Sequence, residues 1–174
     1  MWTFFEYETY LTAVDDLMDH PAVRAMERLP QHAKGFSCFH HSVWVSYWSW
    51  RVCLWIGLDA CAAARGGLLH DLYLYDWTSQ KAPNGKWHGT EHPKTALRNA
   101  QTFFSLNEKE RDIIVKHMWP LTLRPYRYLE SLVVSCVDKV CAVAELLRLH
   151  PDPAAFQTAR QEPRLRPVPR PRAA

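Results

Sequence analysis

Apolar residues recur at helical spacing along most of this chain, and this periodicity restricts its fold more than any other feature. The segment 41–56 illustrates it, because one helical face there is formed almost entirely by large apolar residues. The residues of that face are His41, Trp44, Val45, Trp48, Val52 and Trp55. No segment alternates apolar and polar residues as a half-buried strand does. The sequence therefore predicts an all-α fold, a bundle of about six to eight helices.

Capping residues and prolines place the ends of the predicted helices. Gly57 ends one helix and Asp59 caps the next. Asn107 begins a segment with the pattern of a capping box. Pro93 opens another helix and disfavours helical backbone at His92, which is therefore expected at the helix entrance. The predicted helices cover about 3–18, 21–30, 41–56, 59–71, 93–104, 107–117 and 126–149.

Composition and charge divide the chain into two parts. Residues 1–150 are predicted to form a single helical domain, since 48% of the chain is hydrophobic and can supply a core. Residues 151–174 hold six of the twelve prolines and five arginines, and we predict a disordered tail there. The formal net charge of +3 resides in that tail, so the body is neutral. A neutral body disfavours nucleic-acid binding, which needs a basic face.

Hydropathy and cysteine spacing restrict the setting of the protein. No apolar run reaches the roughly 18 residues that span a bilayer, so we expect no membrane association. The five cysteines form no C-x-x-C pair, which favours free thiols in a reducing compartment. We therefore expect a cytoplasmic protein, and the sequence assigns it no oligomeric state.

Histidine and aspartate residues occur on the apolar faces of several predicted helices, where a buried charge needs a partner. Imidazole nitrogen and carboxylate oxygen together suit Fe, Mn, Zn, Co or Ni, and a carboxylate can bridge two ions. The sequence thus predicts a site for one or two divalent transition metals. The candidate ligands are His41, His70, Asp71, His92, His117 and Asp138. His88 is assigned to solvent or a loop.

A pair of glycines precedes two adjacent candidate ligands. Gly66 and Gly67 lie inside a predicted helix, where each costs about 1 kcal/mol relative to alanine. Close approach of another helix would explain both glycines. That approach would bring the second helix beside His70 and Asp71.

The order His, His-Asp, His, His, Asp resembles the HD-domain metal-dependent phosphohydrolases, over about 21–149. The matching pieces are HHSVWVS at 40–46, RGGLLHD at 65–71, EHPKTAL at 91–97, IIVKHMW at 113–119 and VVSCVDKV at 133–140. The runs HDLYLYDW at 70–77 and KHMWPLT at 116–122, together with RGGLLHD, resemble a branch of small stand-alone bacterial HD proteins. The resemblance implies an HD-domain helical bundle that holds one metal on His41, His70, Asp71 and Asp138. Families with two metals add histidines like His92 and His117, and the central aspartate bridges.

The resemblance also implies an activity, that of a phosphomonoesterase or phosphodiesterase that cleaves a small phosphate ester with a metal-activated hydroxide. A nucleotide is the expected substrate, and Asp71 and His70 are the expected catalytic residues. The candidate substrate-binding residues are Arg65, Lys94, Lys116, Arg124 and Trp87. The cations could bind phosphate, and the indole could stack on a base. The competing interpretation of each is an ordinary surface or core residue.

The chain departs from two HD subfamilies. Leu74 stands where the cyclic-dinucleotide phosphodiesterases carry a lysine, and 118–120 is Met-Trp-Pro instead of Gly-Tyr-Pro. The small HD nucleotidases carry an acid three residues after the aspartate, whereas the nearest acid here is Asp76, five residues on. Two other functions therefore stay open. One is a di-iron oxygenase on the same fold, and the other is a non-catalytic sensor or partner-binding module stabilised by metal.

Overall fold

The computed structural model describes residues 4–31 and 35–149, with side chains from Glu8 onward in the first range. Within these ranges the chain forms seven α-helices and one 3₁₀ turn, and no strand. This confirms the predicted all-α fold and its number of helices. The predicted tail, residues 151–174, lies outside the described ranges. No helix of the described chain is long and apolar enough to cross a membrane.

The helices range from one turn to five turns in length. Their bounds are α1 Phe4–Met18, α2 Pro21–Arg24, α3 Cys38–Ile56, α4 Ala60–Leu69, α5 His88–Phe103, α6 Glu108–Lys116 and α7 Leu129–Leu146, with the 3₁₀ turn at Ala25–Arg28. The centre of the bundle is formed by α3 and α4, which pack against each other. On this pair, α7 packs against both helices, while α1 and α6 pack against α4. The fifth helix lies against α6.

Local capping sets several helix ends. Gly57 ends α3 in the left-handed region at φ 75°, and the Asp59 side chain caps α4 by accepting a backbone N–H. Asn107 forms both hydrogen bonds of the predicted capping box. Ser37 caps α3 because its Oγ accepts from the backbone N–H of His40. That cap starts α3 three residues before the predicted position.

The prediction that His92 stands at a helix entrance is wrong, because α5 begins at His88 and continues through Pro93. A proline inside a helix removes one backbone donor and crowds the preceding turn. Pro93 is only the sixth residue of α5, so one hydrogen bond near the helix start is lost. Burial of His92 and Pro93 on the inner face of α5 overrides the local preference.

The glycine pair of α4 lies at a close approach of helices, as the sequence predicts. A methyl group at Gly67 would lie 2.9 Å from Cα of Ser46 on α3, and one at Gly66 would lie 2.7 Å from the Ile113 side chain on α6. The Ser46 hydroxyl also donates to the carbonyl of Ala64 at 2.6 Å, which ties α3 to α4. The end of α4 is therefore held beside both α3 and α6.

The last helix turns polar side chains inward. The buried polar residues of α7 are Glu130, Ser131, Ser135, Asp138 and Glu145. Its exposed residues include Val140, Val143 and Leu146. This reverses the usual amphipathic pattern, in which the apolar face is buried. The consequence is that α7 brings carboxylates to the centre of the bundle.

Candidate metal centre

The six predicted ligands converge inside the bundle from five different helices. His41 lies on α3, His92 on α5 and Asp138 on α7. His70 and His117 are the C-terminal caps of α4 and α6, and Asp71 follows His70 directly. All six side chains are buried. Residues separated by up to 97 positions in sequence thus share one interior site.

One group of ligands is formed by His41, His70 and Asp138, whose ligand atoms lie within 4.8 Å of one another. Nε2 of His41 is 3.0 Å from Oδ1 of Asp138, and Nε2 of His70 is 3.6 Å from the same oxygen. The rings of His41 and His70 are 5.4 Å apart. Two imidazole nitrogens and one carboxylate oxygen therefore face a common point, and this group could hold a metal ion.

A second group contains His70, Asp71 and His117, again with ligand atoms within 4.8 Å. Nε2 of His117 lies 3.6 Å from Oδ1 of Asp71. His92 joins this group, because its Nε2 is 3.3 Å from that oxygen and 2.9 Å from Nε2 of His117. Three imidazoles and a carboxylate oxygen face one another here, which is a donor set for a transition metal.

Two ligand atoms at the junction of the groups have no hydrogen-bond partner. They are Nε2 of His70 and Oδ1 of Asp71, both fully buried. A buried polar atom is almost always hydrogen-bonded, and leaving it unpaired costs free energy. A cation bound between the rings and the carboxylate would satisfy both atoms. The buried orphan atoms therefore fit the transition-metal site that the sequence predicts.

Backbone carbonyls orient three of the four imidazoles. Nδ1 of His70 donates to the Gly67 carbonyl at 2.7 Å, and Nδ1 of His92 donates to the His88 carbonyl at 2.9 Å. Nδ1 of His117 donates to the carbonyl of Ile114 at 2.9 Å. A proton on Nδ1 leaves the lone pair of the neutral ring on Nε2, which faces the centre. This is the outer hydrogen bonding that metal-binding histidines commonly have.

The fourth imidazole is oriented by a carboxylate instead. Nδ1 of His41 lies 2.8 Å from Oε1 of Glu145, which is fully buried on α7. Glu145 is not among the residues predicted from the sequence. Its position did carry a signal, because Glu145 follows Asp138 by seven residues, or two helical turns, and so shares its face.

Asp71 is held by residues that no sequence pattern indicated. Nε2 of Gln31 donates to Oδ2 of Asp71 at 2.8 Å, and the Tyr73 hydroxyl donates to Oε1 of Gln31 at 3.1 Å. The Cys38 thiol donates to the backbone carbonyl of Asp71. These contacts fix Oδ2 and leave Oδ1 directed at His92 and His117.

The carboxylates of the site are held in the ionised form. Burial raises the pKa of Asp71 and Asp138, but the surrounding histidines outweigh it and hold both pKa values well below the usual range. Burial and the charge of neighbouring histidines lower the pKa of His117 to about 3, so its imidazole is neutral. Burial lowers the pKa of His41, but hydrogen bonds to Asp138 and Glu145 outweigh it and raise the pKa to about 10. Because only a neutral imidazole binds metal, His41 would release a proton when an ion binds.

Arg65 has a different role from the predicted one. Its Nε donates to Oε1 of Glu110 at 3.0 Å, and one of its terminal nitrogens donates to Asp16 at 3.0 Å. The guanidinium therefore links α1, α4 and α6. Its donors are occupied by protein acceptors, which explains why Arg65 is not available for a substrate phosphate.

The other predicted substrate-binding residues lie nearer the surface. Lys94 pairs with Glu91 on its own helix, and Lys116 pairs with Asp112. Arg124 is exposed in the connection between α6 and α7. Trp87 is exposed at the start of α5, and its ring lies over Gly89. The predicted cations therefore do not line the centre itself.

A stack of rings extends one side of the centre. The ring of His88 is parallel to that of His92, with centroids 4.5 Å apart, and to Trp77 on its other side, 5.2 Å away. Nδ1 of His88 also pairs with the Tyr75 hydroxyl at 2.8 Å. His88 is half-buried at the first position of α5, so its assignment to solvent or a loop is wrong. The position of Pro93 suggested a later helix start and so left His88 in the preceding loop.

A lysine lies beside the carboxylate end of the centre. Nζ of Lys139 is 3.9 Å from Oδ2 of Asp138 and donates to the carbonyl of His117 at 3.0 Å. This cation was not among the predicted substrate-binding residues, although it directly follows Asp138. Its ammonium group partly balances the acids of the site.

Comparisons with protein-family models, with curated proteins and with solved structures find no match to this chain.

Proposed function

We propose that this chain is a metal-dependent phosphohydrolase of the HD-domain superfamily that cleaves a small phosphate ester. The observation that carries the proposal is the position of Asp71 between two groups of imidazoles, with Oδ1 buried and without a hydrogen-bond partner. A carboxylate in this position can bridge two cations. Divalent ions, when bound, activate water and neutralise phosphoryl oxygens.

Each of the two ligand groups would hold one of the proposed ions. His41, His70 and Asp138 would hold the first, and His92 and His117 the second, with Asp71 between them. The backbone bonds to Nδ1 keep the imidazoles turned towards the ions, so little reorganisation accompanies binding. Gln31 keeps Asp71 in place through its second oxygen.

A phosphorylated substrate is proposed because divalent ions, when bound, neutralise phosphoryl oxygens. Arg124 is exposed in the connection that follows α6 and could contact an anion. The exposed indole of Trp87 is the N-terminal cap of the helix that carries His92. An exposed flat ring can stack on a base, which is why a nucleotide is the proposed substrate.

The proposal is tested by metal analysis and an activity screen. Protein purified without a metal-binding tag should contain up to two transition ions per chain, by elemental analysis, and should release phosphate from one member of a nucleotide panel. Asp71→Asn should abolish that hydrolysis and reduce bound metal while the helical circular dichroism persists. Asp15→Asn, the same change at an exposed position of α1, is the matched control. Full activity of Asp71→Asn towards a responsive substrate would rule the proposal out.

Additional measurements on the same protein separate the two competing functions. Oxygen consumption and visible absorption bands from iron-loaded protein would identify a di-iron oxygenase. Stoichiometric metal without turnover of any phosphate ester would identify a non-catalytic module.

The five cysteines all have free thiols, which supports the proposed cytoplasmic setting.

A further inference from the structure

The outer face of α7 carries a continuous apolar stripe. Its members are Leu129, Val133, Cys136, Val140, Val143 and Leu147. They follow one another at alternating steps of four and three residues, the spacing of a coiled-coil seam. Four of the six are large aliphatic residues that are more than half exposed. The stripe extends over the whole length of the helix and contains no charged residue.

Burial of this stripe cannot come from within the described chain. The inner face of α7 carries the polar residues Asp138 and Glu145, which contact His41. A protein that remains a monomer rarely exposes an apolar patch of this extent, and a larger patch marks an interface. Because the site requires the acids inside, the aliphatic side of α7 is left uncovered by residues 4–31 and 35–149.

A groove continues the stripe onto α3. It lies between α3 and α7 and has a volume of about 840 Å³. Trp48 and Val52 form one wall, and Val133, Cys136 and Val140 form the other. The three stripe residues Val133, Cys136 and Val140 thus also line the groove, so a helix laid along the stripe would cover that part of the groove as well.

We propose that this surface pairs with the same surface of a second copy of the chain. In this pairing the two α7 helices run antiparallel, and a two-fold axis crosses them at the level of residue 138. The stripe of one copy then packs along the stripe of the other. Leu129 of one copy then faces Leu147 of the other, and Val133 faces Val143. Cys136 faces Val140 next to the axis. Each of these contacts occurs twice, once on either side of the axis, as a self-complementary two-fold interface requires.

The cations near the stripe do not oppose this arrangement. Nζ of Lys139 donates to the carbonyls of His117 and Ser135, each at 3.0 Å, so its charge is held towards its own chain. The guanidinium of Arg51 lies over the ring of Trp48, 5.7 Å from its centroid, on the groove wall. Neither cation occupies a stripe position.

The oligomeric state of the full chain tests the proposal. Light scattering after size exclusion should give a dimer of the 20.3 kDa chain. Val140→Glu places a carboxylate beside the axis on each copy and should give the monomer, with helical circular dichroism and metal content unchanged. Leu123→Glu, the same kind of change at an exposed position between α6 and α7, should leave the dimer intact.

A cross-link tests the antiparallel register. In Val140→Cys, the introduced thiol faces Cys136 of the other copy. Oxidised glutathione, which is itself reduced, should then join the copies through a disulfide. Adding Cys136→Ser should prevent that cross-link, although Cys61 is also exposed. With Cys61→Ser present in every variant, a cross-link that persists after Cys136→Ser would overturn the register.

Two results would overturn the proposed pairing as a whole. One is a wild-type chain that stays monomeric at every concentration measured. The other is a monomer that sediments with vesicles of phosphatidylglycerol and phosphatidylcholine, since the apolar face would then meet a lipid surface. Both readouts use the unmodified chain and do not depend on any variant folding correctly.

Discussion

Nδ1 of His41 lies 2.8 Å from Oε1 of Glu145, and both side chains are fully buried although 104 positions separate them. The opposite nitrogen of the same ring faces Asp138 at 3.0 Å. A buried carboxylate thus sets the orientation and protonation pattern of a candidate metal ligand. Carboxylates in this position raise the basicity of a ligating imidazole.

Glu145→Gln tests this relationship. The amide oxygen can still accept from Nδ1 of His41, but the negative charge is lost. We expect metal affinity, measured by competition with a chelator, to fall about 10- to 100-fold. Glu130→Gln is the matched control, because Glu130 is a buried acid of α7 that pairs with Lys109 instead. Equal affinities in the two variants would show that Glu145 serves the fold alone.

His117→Ala removes a donor from the second ligand group only. The group of His41, His70 and Asp138 keeps all its atoms, so we expect the protein to retain about one ion where the wild type holds two. Elemental analysis gives the stoichiometry. His20→Ala, the same change beside Phe104, should not alter the metal content. An unchanged stoichiometry in His117→Ala would contradict a two-ion centre.

Gly67→Ala should destabilise the protein although alanine is the better helix former. The added methyl would lie 2.9 Å from Cα of Ser46, and backbone cannot move aside as a side chain can. Overpacking of this kind costs about 1–3 kcal/mol, against a gain of about 1 kcal/mol in helix propensity. Urea denaturation measures the net change in unfolding free energy. A variant as stable as the wild type would mean that α3 and α4 are less tightly apposed.

Asp112→Asn should destabilise the junction between α6 and α7. Oδ2 of Asp112 accepts from the Arg127 backbone N–H at 2.9 Å and from the Ser131 hydroxyl at 2.7 Å, and Lys116 pairs with the other oxygen. Hydrogen bonds to a charged group contribute about 1.5–3 kcal/mol. We expect a loss of that order in unfolding free energy at pH 7, measured in urea.

The pH dependence of this loss follows from the pKa of Asp112. Burial raises that pKa, but the contacts with Lys116, Arg127 and Ser131 outweigh it and bring it below the ordinary value of 3.8. The ionised group therefore stabilises the fold above the unfolded-state pKa, and this contribution is lost as pH falls through the lower folded-state pKa. The difference between wild type and Asp112→Asn should shrink below pH 3.8. A difference that is constant with pH would point to lost packing instead of lost charge.

The order of candidate ligands in the sequence allowed much of the site to be predicted. Asp138 and His41 each share a helical face with apolar residues, so periodicity alone places them inside. Their outer partners could not be found in this way. Gln31 reaches Asp71 across 40 positions, and no local pattern relates the two.

Local hydrogen bonds explain which helix ends the sequence predicted correctly. Asn107 and Gly57 form hydrogen bonds within one turn of the helix end, so neighbouring residues are enough to predict these helix ends. Pro93 was misleading, because burial of the inner face of α5 outweighs a local preference. Arg65 was misleading for a similar reason, since its acceptors on α1 and α6 lie 49 and 45 positions away.

The sequence by itself determined the helical class, the caps at Gly57, Asp59 and Asn107, and the burial of His41 and Asp138, because these depend on neighbours within a turn or two. Only the tertiary structure decided which carboxylate meets which imidazole, and that α7 turns its acids inward and its aliphatic side outward. Pairing across 97 to 104 positions depends on how helices pack, and packing is a property of the whole bundle.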